Sequence, residues 1–318
     1  MVWRRPRSLA EVTNPAVVAM LFRIPDPGSR IPRLNYRHAF HAGNHADVLK
    51  HVVLLALCDA LVAKPAPCFA LDTHAGRGLY WLDAGYALKT GESADGVARL
   101  DAAPGNDPLL ARYRSALAAC RRAHGAGAYP GSPWLLAYAL REQDRIACCE
   151  LQPDEATALR RRFADDPRIV VHASDGYAAM KALLPPRHGS QRLGRGLVLI
   201  DPPYEAQLAE FDLALAALRD GLGRWPQGMF ALWYPLKRRA ALRPFLRRAA
   251  ALPARSALRV ELLVRPDDSP LRMNGSGLLL LNPPWKLDRF LAAALPRLGA
   301  ALDDGGGSHL LEWLKAPE

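Results

Sequence analysis

The run Leu197-Val-Leu-Ile-Asp-Pro-Pro-Tyr204 sets a carboxylate, two rigid imino acids and an aromatic ring directly behind a short apolar strand. The exocyclic amine of a nucleobase is a weak nucleophile, because its lone pair is delocalised into the ring. A catalyst for that nitrogen has to localise the pair. The Asp201 carboxylate and the Pro202 carbonyl can accept both amine protons, the prolines keep the loop stiff, and the Tyr204 ring can stack on the base. Such a corner would aim the nitrogen at a methyl donor. The plainer alternative is a strand that ends in a proline turn, and four residues alone do not exclude it.

Other strand ends supply context. Leu71-Asp-Thr-His-Ala-Gly-Arg-Gly78 reads as a strand entering a small-residue loop, where backbone amides can approach a nucleotide-like ligand. Glu150 closes the next apolar run, the position from which doubly wound folds present an acid to ribose hydroxyls, and Asp175-Gly176 closes the third, facing an adenine edge. Taken singly, Glu150 or Asp175 has a lesser alternative as a buried acid or a helix cap, but four strand ends in the right order are harder to dismiss. A second copy of the catalytic pattern, Asn282-Pro-Pro-Trp285, follows the seventh strand and ranks below Asp201, with Trp285 expected to be packing or at most a secondary contact.

The run Tyr36 to His51 is polar, aromatic and rich in histidine. His41 and His45 invite a metal, but no H-E-x-x-H motif or cysteine set completes a site, so none is expected. The functional reading turns Lys50 and His51 towards a donor pocket and Tyr36 and Arg37 towards nucleic acid. The structural alternative is a helix N-terminus whose histidines bond to backbone.

These residues need a scaffold. Asn44 is placed to cap a helix over His45–Leu61. Seven β-rich runs follow: Cys68–Asp72, Arg145–Glu150, Ile169–His172, Leu197–Ile200, Met229–Tyr234, Leu258–Val264 and Leu278–Leu281. Helical segments at Asp154–Phe163, Gly176–Leu184, Ala206–Leu222 and Lys237–Ala251 separate most of them. Strands apolar on both faces and alternating with helices predict a doubly wound α/β domain with a mostly parallel sheet. The gap between the first two strands is too long for a simple crossover. It carries helical patterns around Asp107–His124 and Trp134–Arg141, which predicts an inserted, mainly helical subdomain over about 79–131. Residues 1–33, with Pro6, Pro15, Pro25, Pro27 and Pro32, read as an extension that is disordered or arises from a misassigned start, so the functional domain is expected over 34–318.

Composition bounds the function. Half of the 318 residues are hydrophobic and 23% are charged, which excludes a disordered or fibrous chain. No apolar run is long enough to cross a bilayer and no secretion signal stands at the N-terminus, so a cytoplasmic protein is expected. Five cysteines without C-x-x-C spacing fit buried reduced thiols. A net charge of +11 favours polyanionic partners, although only seven of the 42 basic residues are Lys and an Arg-rich chain also follows from genomic base composition.

Taken together, Tyr-Arg-His-x-Phe-His-Ala-Gly-Asn-His-Ala-Asp-Val-Leu-Lys-His (36–51), Leu-Asp-Thr-His-Ala-Gly (71–76), Tyr-Pro-Gly-Ser-Pro (129–133), Leu-Arg-Glu-Gln-Asp (140–144), Asp-Pro-Pro-Tyr and Asn-Pro-Pro-Trp resemble the RlmJ family, bacterial methyltransferases of adenine N6 in 23S ribosomal RNA. The likeness runs from about Leu34 to the C-terminus and departs only in the extension before it. It implies a seven-stranded Rossmann-like methyltransferase sheet with an inserted helical subdomain. It also implies S-adenosylmethionine held by Lys50, His51, His74, Ser132, Glu150, Asp175, Gly176 and Asp201, with Asp201 accepting the amine proton and Tyr36 near the adenine. His74 and Ser132 enter through the resemblance alone. The expected partner is 23S rRNA, the expected state a monomer without a metal. The rivals are a DNA adenine-N6 methyltransferase, which shares the four-residue chemistry, and a non-catalytic RNA-binding module.

Overall fold

A computed structural model of the chain describes residues 41–83, 91–204, 207–271 and 273–317. Tyr36, Arg37 and the extension lie outside them. Eight strands form one sheet: β1 (Phe69–Asp72), β2 (Arg145–Cys149), β3 (Ile169–His172), β4 (Gly196–Ile200), β5 (Met229–Leu236), β6 (Ala257–Leu263), β7 (Gly275–Leu281) and β8 (Ser308–Lys315). Their spatial order is 3-2-1-4-5-7-6-8. Neighbours from β3 through β5 pair in parallel, whereas β7, β6 and β8 extend the sheet with antiparallel pairings. The seven expected strands are all present. The eighth escapes a reading by period because Leu310, Leu311, Trp313 and Leu314 are spaced like a helix face.

Helices cover both faces, as the doubly apolar strands require. Alternate residues of β1 join different cores. Ala70 packs in the cluster built on α1 (His45–Val62), α3 (Pro108–His124), α4 (Ser132–Ala139) and α9 (Leu287–Leu302), which follow α2 (Val97–Ala102) or flank it in the chain. Leu71 packs in the cluster built on α6 (Gly176–Leu183), α7 (Gln207–Arg224) and α8 (Arg243–Ala250). The remaining helix, α5 (Pro153–Arg162), crosses between β2 and β3. The stretch 79–131 holds α2, α3 and an antiparallel ribbon that pairs Leu79–Trp81 with Ala128–Pro130. The expected helix over Lys237–Ala251 is broken: β5 runs on to Leu236, a 3₁₀ turn covers Arg239–Leu242, and Pro244 opens α8. The described residues all fall in one compact unit, and the five cysteines are buried and unpaired.

The antiparallel half is pinned by a buried acid. Glu261 of β6 is fully buried and accepts hydrogen bonds from the Tyr234 hydroxyl (3.0 Å), Arg239 Nε (2.9 Å) and Arg259 Nε (2.6 Å). Gly277 of β7 makes room for it, since a Cβ there would stand 2.5 Å from the Tyr234 ring. Removing one member of such a network strands the others, at a cost of several kcal/mol. Glu261→Ala should therefore lower unfolding stability by roughly 3 kcal/mol, read from the urea midpoint at unchanged m-value, with Glu261→Gln intermediate.

Candidate active site

Strand direction decides where chemistry can sit. In an open parallel sheet the ligand crevice lies beyond the carboxyl ends, at the point where the strand order reverses, here between β1 and β4. The loop after β1 is tied to both neighbours. Thr73 donates its N–H and its hydroxyl to the Leu199 carbonyl of β4 (both 3.0 Å), and Ala75 N–H donates to the Cys149 carbonyl of β2 (2.9 Å). Gly76 (φ 58°) sits where a Cβ would lie 2.2 Å from the Tyr80 hydroxyl, and its N–H donates to Glu150 Oε2 (2.8 Å). Gln152 N–H holds the other oxygen of Glu150 (2.7 Å), so that carboxylate bridges two loops while half-buried. Burial pushes its pKa up against those two amides.

Asp201 follows β4, half-buried, and its Oδ2 receives Lys50 Nζ at 2.5 Å. Lys50, only 4% exposed, also meets Asp47 Oδ1 at 2.8 Å. Burial alone would strip the lysine of its proton, but Asp201 and Asp47 outweigh it and hold the pKa well above the usual lysine value. Among the described residues nothing donates to Asp201 Oδ1 or to the Pro202 carbonyl. Tyr204 is fixed by its hydroxyl, which donates to the Trp233 carbonyl at 2.7 Å, and its ring lies 5.0 Å from that of Phe211.

A cavity of about 510 Å³ opens beside this corner, lined by Lys50, Asp201, Pro202, Tyr204, Trp233 and Arg265 among others. Its size and its mixture of aromatic walls with a few polar atoms suit a small aromatic ligand. The start of α1 forms one wall. Asn44 Oδ1 caps that helix by accepting from Ala46 and Asp47 N–H (3.0 Å each). His41 bonds to Glu92 at 2.9 Å, and this raises its pKa, whereas burial and then Arg265 lower that of His45 to about 4. The described residues contain no group of three or more His, Cys, Asp or Glu able to hold a metal ion.

On the other side of Asp201 lie the remaining expected donor contacts. His74 bonds to the Thr73 hydroxyl (2.8 Å), stands edge-on to Tyr177 at 5.2 Å, and is lowered to a pKa of about 4 by burial despite the pull of Asp201 and Asp175. It is neutral at pH 7. Asp175 is exposed and caps α6 through Tyr177 N–H (2.9 Å), while Gly176 abuts β1 so closely that a Cβ would meet the Thr73 carbonyl at 2.0 Å. Ser132, buried at the start of α4, reaches Asp72. His51 faces away from the cavity, bonded through Nδ1 to the buried Tyr129 hydroxyl at 3.0 Å. Tyr36 lies outside the described residues.

Three contributors were absent from the expected set. Asp47 shares Lys50, Arg265 lines the cavity from the loop after β6, and Asp72 ends β1 fully buried with Oδ2 accepting no hydrogen bond. The signal for Asp72 was available, because it terminates β1 much as Asp201 follows β4. An orphaned buried acceptor at the crevice fits a ligand that brings donors, as S-adenosylmethionine does with its ammonium group.

The second motif is corrected by the structure. Strand β7 runs antiparallel to β5, with Leu281 opposite Phe230, whereas β4 runs parallel to β5, with Ile200 opposite Leu232. Asn282 therefore leaves the sheet at the edge remote from Asp201. Trp285 is not packing: it is 77% exposed.

A doubly wound sheet with acids converging at the reversal point, a rigid Asp-Pro-Pro-Tyr corner and an adjoining aromatic cavity defines a Rossmann-like methyltransferase. A family model described as "Ribosomal RNA large subunit methyltransferase D, RlmJ" matches residues 65–315. Proteins named ribosomal RNA large subunit methyltransferase J from Haemophilus influenzae and Escherichia coli are 39% and 38% identical over 286 and 282 residues, each alignment covering 88% of this chain and 99% of the relative. The crystal structure of protein LPL1258 from Legionella pneumophila superimposes with a TM-score of 0.75 at 31% identity, over 86% of this chain and 98% of that one. The chain belongs to the RlmJ family of ribosomal RNA methyltransferases.

Asp72 provides a test of the crevice. Burial, against the Ser132 hydroxyl and with Asp201 adding to it, raises its pKa from 3.8 to about 6. The folded protein thus binds this proton more tightly than the unfolded chain. The cost of the charge is present in full above pH 6 and disappears as pH falls to about 4. Asp72→Asn should stabilise the ligand-free protein at pH 7.5 by up to about 3 kcal/mol, with the gain gone near pH 4, in urea unfolding curves recorded across that range. The same variant should bind S-adenosylmethionine more weakly in calorimetry.

Proposed function

We propose that this chain methylates N6 of one adenine in 23S rRNA, with S-adenosylmethionine as donor and the target base flipped into the cavity beside Asp201. The observation that carries the reading is the pair of unclaimed acceptors, Asp201 Oδ1 and the Pro202 carbonyl, on a loop held by Lys50 and walled by Tyr204. Two acceptors match the two protons of an exocyclic amine. Holding both turns the nitrogen lone pair out of conjugation and along a fixed line. The Tyr204 ring supplies a stacking surface, and the cavity admits one base rather than a duplex.

When bound, the donor supplies a methyl group already activated by sulfonium charge. His74, Ser132, Glu150, Asp175 and Gly176 surround it at the strand ends, with Lys50 contributed by α1. The N–C bond forms as the C–S bond breaks, sulfur keeps the electron pair, and the surplus amine proton leaves through Asp201. Proton acceptance at Asp201 is balanced by the adjoining ammonium of Lys50. Positioning provides most of the acceleration and no metal is invoked. A 23S rRNA substrate places the reaction in the cytoplasm, and one chain supplies every group named.

Asp201→Ala should reduce methyl incorporation into protein-free 23S rRNA by at least 10³-fold, while calorimetry still registers donor binding. Turnover near normal in that variant would defeat the assignment. Tritiated methyl transfer to rRNA should exceed that to duplex DNA, and mass mapping of the product should find N6-methyladenine at a single position. Preferred labelling of duplex DNA would favour a DNA methyltransferase, and absence of donor binding an inert RNA-binding module.

A further inference from the structure

The second Pro-Pro motif does no methyl-transfer chemistry, yet it is built with care. Asn282 (φ 53°) and Lys286 (φ 65°) both adopt the left-handed conformation on either side of Pro283, Pro284 and Trp285. The Asn282 side chain is fully used: Oδ1 accepts Arg255 N–H at 2.8 Å, and Nδ2 donates to the carbonyls of Pro226 (3.0 Å) and Gly228 (2.9 Å). The result is a stiff loop that presents an indole to solvent, 77% exposed and in ring contact with no described residue; Phe290 of α9 is also exposed, at 56%. A left-handed, non-glycine backbone maintained around an exposed large ring is a costly arrangement that packing does not explain.

The surrounding charge is mostly positive. Along this edge of the sheet stand Arg145, Arg195, Arg255, Lys286, Arg289 and Lys315, and none forms an ion pair with a described residue. Arg145, Arg195 and Lys315 bond only to neutral groups, chiefly backbone carbonyls, which leaves their charge uncompensated. Some arginines away from this edge are paired, as Arg77 is with Glu155 and Arg265 with Asp304. From β8 to β2 the edge crosses six strand spacings, roughly 30 Å, interrupted by few acids, of which Asp288 lies closest in sequence to Trp285.

We propose that this edge is a second RNA-binding surface, remote from the methyl-transfer cavity, on which one unpaired base stacks on Trp285 while the flanking phosphates follow the basic row. A rigid aromatic flanked by unpaired cations has the chemistry of a single-strand platform, in which stacking tolerates any base and the cations track the backbone. The surface lies at least ~13 Å along the strands from the level of Asp201, since Leu281 pairs with Phe230 and Ile200 with Leu232. A long RNA can therefore occupy both places at once. The inference goes beyond the methyl-transfer reading and does not need it, because it concerns binding rather than turnover.

The test uses the full chain and a 4-thiouridine-containing oligouridylate of about 30 nucleotides, with affinity measured by fluorescence anisotropy as a function of salt. Trp285→Ala should weaken binding about tenfold. The double variant Lys286→Glu/Arg289→Glu should reduce the slope of log K against log salt by roughly one to two. Photocrosslinks should map to the peptide that contains Trp285. All three side chains are solvent-facing, so thermal unfolding should match the parent protein. Donor binding should also be unchanged, which separates this surface from a failure of the cavity assignment. Unchanged RNA affinity in both variants, or crosslinks confined to peptides around Tyr204, would overturn the proposal and leave the Trp285 face to a protein partner.

Discussion

Lys50 carries a full positive charge at 4% exposure, and the arrangement of the site depends on how that charge is satisfied. An ammonium so deeply buried is tolerable only with close counter-charges. Asp47 provides one from the same helix, a turn earlier, and Asp201 provides the other from a loop some 150 residues later in the chain. The pair joins α1 to the carboxyl end of β4 and fixes one oxygen of Asp201 while the other stays available. Asp47 is in turn held by Gly43 N–H at 3.0 Å, so the helix cap, the lysine and the acidic corner form one connected unit. Loss of the lysine would leave two acids facing one another in a dry environment, which makes this contact a condition for the corner's geometry rather than an ornament to it.

The sheet provides the remaining constraint. Reversal of strand order between β1 and β4 opens a crevice that helices on either face cannot fill, and the loops after β1, β2, β3 and β4 all empty into it. Glycines at positions 76 and 176 permit contacts that a side chain would block, with Tyr80 in the first case and the Thr73 backbone in the second. Asp72 pays for this closeness. Fully buried beside Asp201 and short of a hydrogen-bond donor, it is a destabilised group that the ligand-free fold tolerates and a cationic or donor-rich ligand would relieve.

Most of this scaffold was legible in the sequence because the strands are short, apolar and bounded by polar loop residues. What escaped did so for identifiable reasons. Helix α9 contains Pro296, which reads as a break although its ring is accommodated within the helix. Strand β8 has helix-like spacing and takes its conformation from pairing with β6 rather than from its own pattern. In the site, Asp201 and Glu150 could be located as acids at strand ends, but Asp47 could not, since its role rests on a contact with Lys50 and, through it, on a residue distant in the chain. Arg265 was invisible for the same reason. His51 shows the opposite difficulty: the family resemblance implied a place in the donor pocket, whereas helix periodicity turns it into the core against Tyr129.

The two Pro-Pro-aromatic motifs show why local sequence cannot by itself assign chemistry. Both follow an apolar strand, and both end in an aromatic ring. Asp201 follows a strand whose carboxyl end opens on the crevice, while Asn282 follows one that runs the other way, so the same turn is delivered to opposite edges of the sheet. The first residue then determines the outcome. An aspartate there offers two acceptors, of which the lysine uses one. An asparagine offers one acceptor and two donor hydrogens, and here all are spent on the turns before β5 and β6. Tyr204 is likewise tethered, through its hydroxyl, as a wall of a cavity, whereas the indole of Trp285 is left without such a tether and faces water. Strand polarity, which only long-range pairing reveals, separates a reactive corner from a rigid mount.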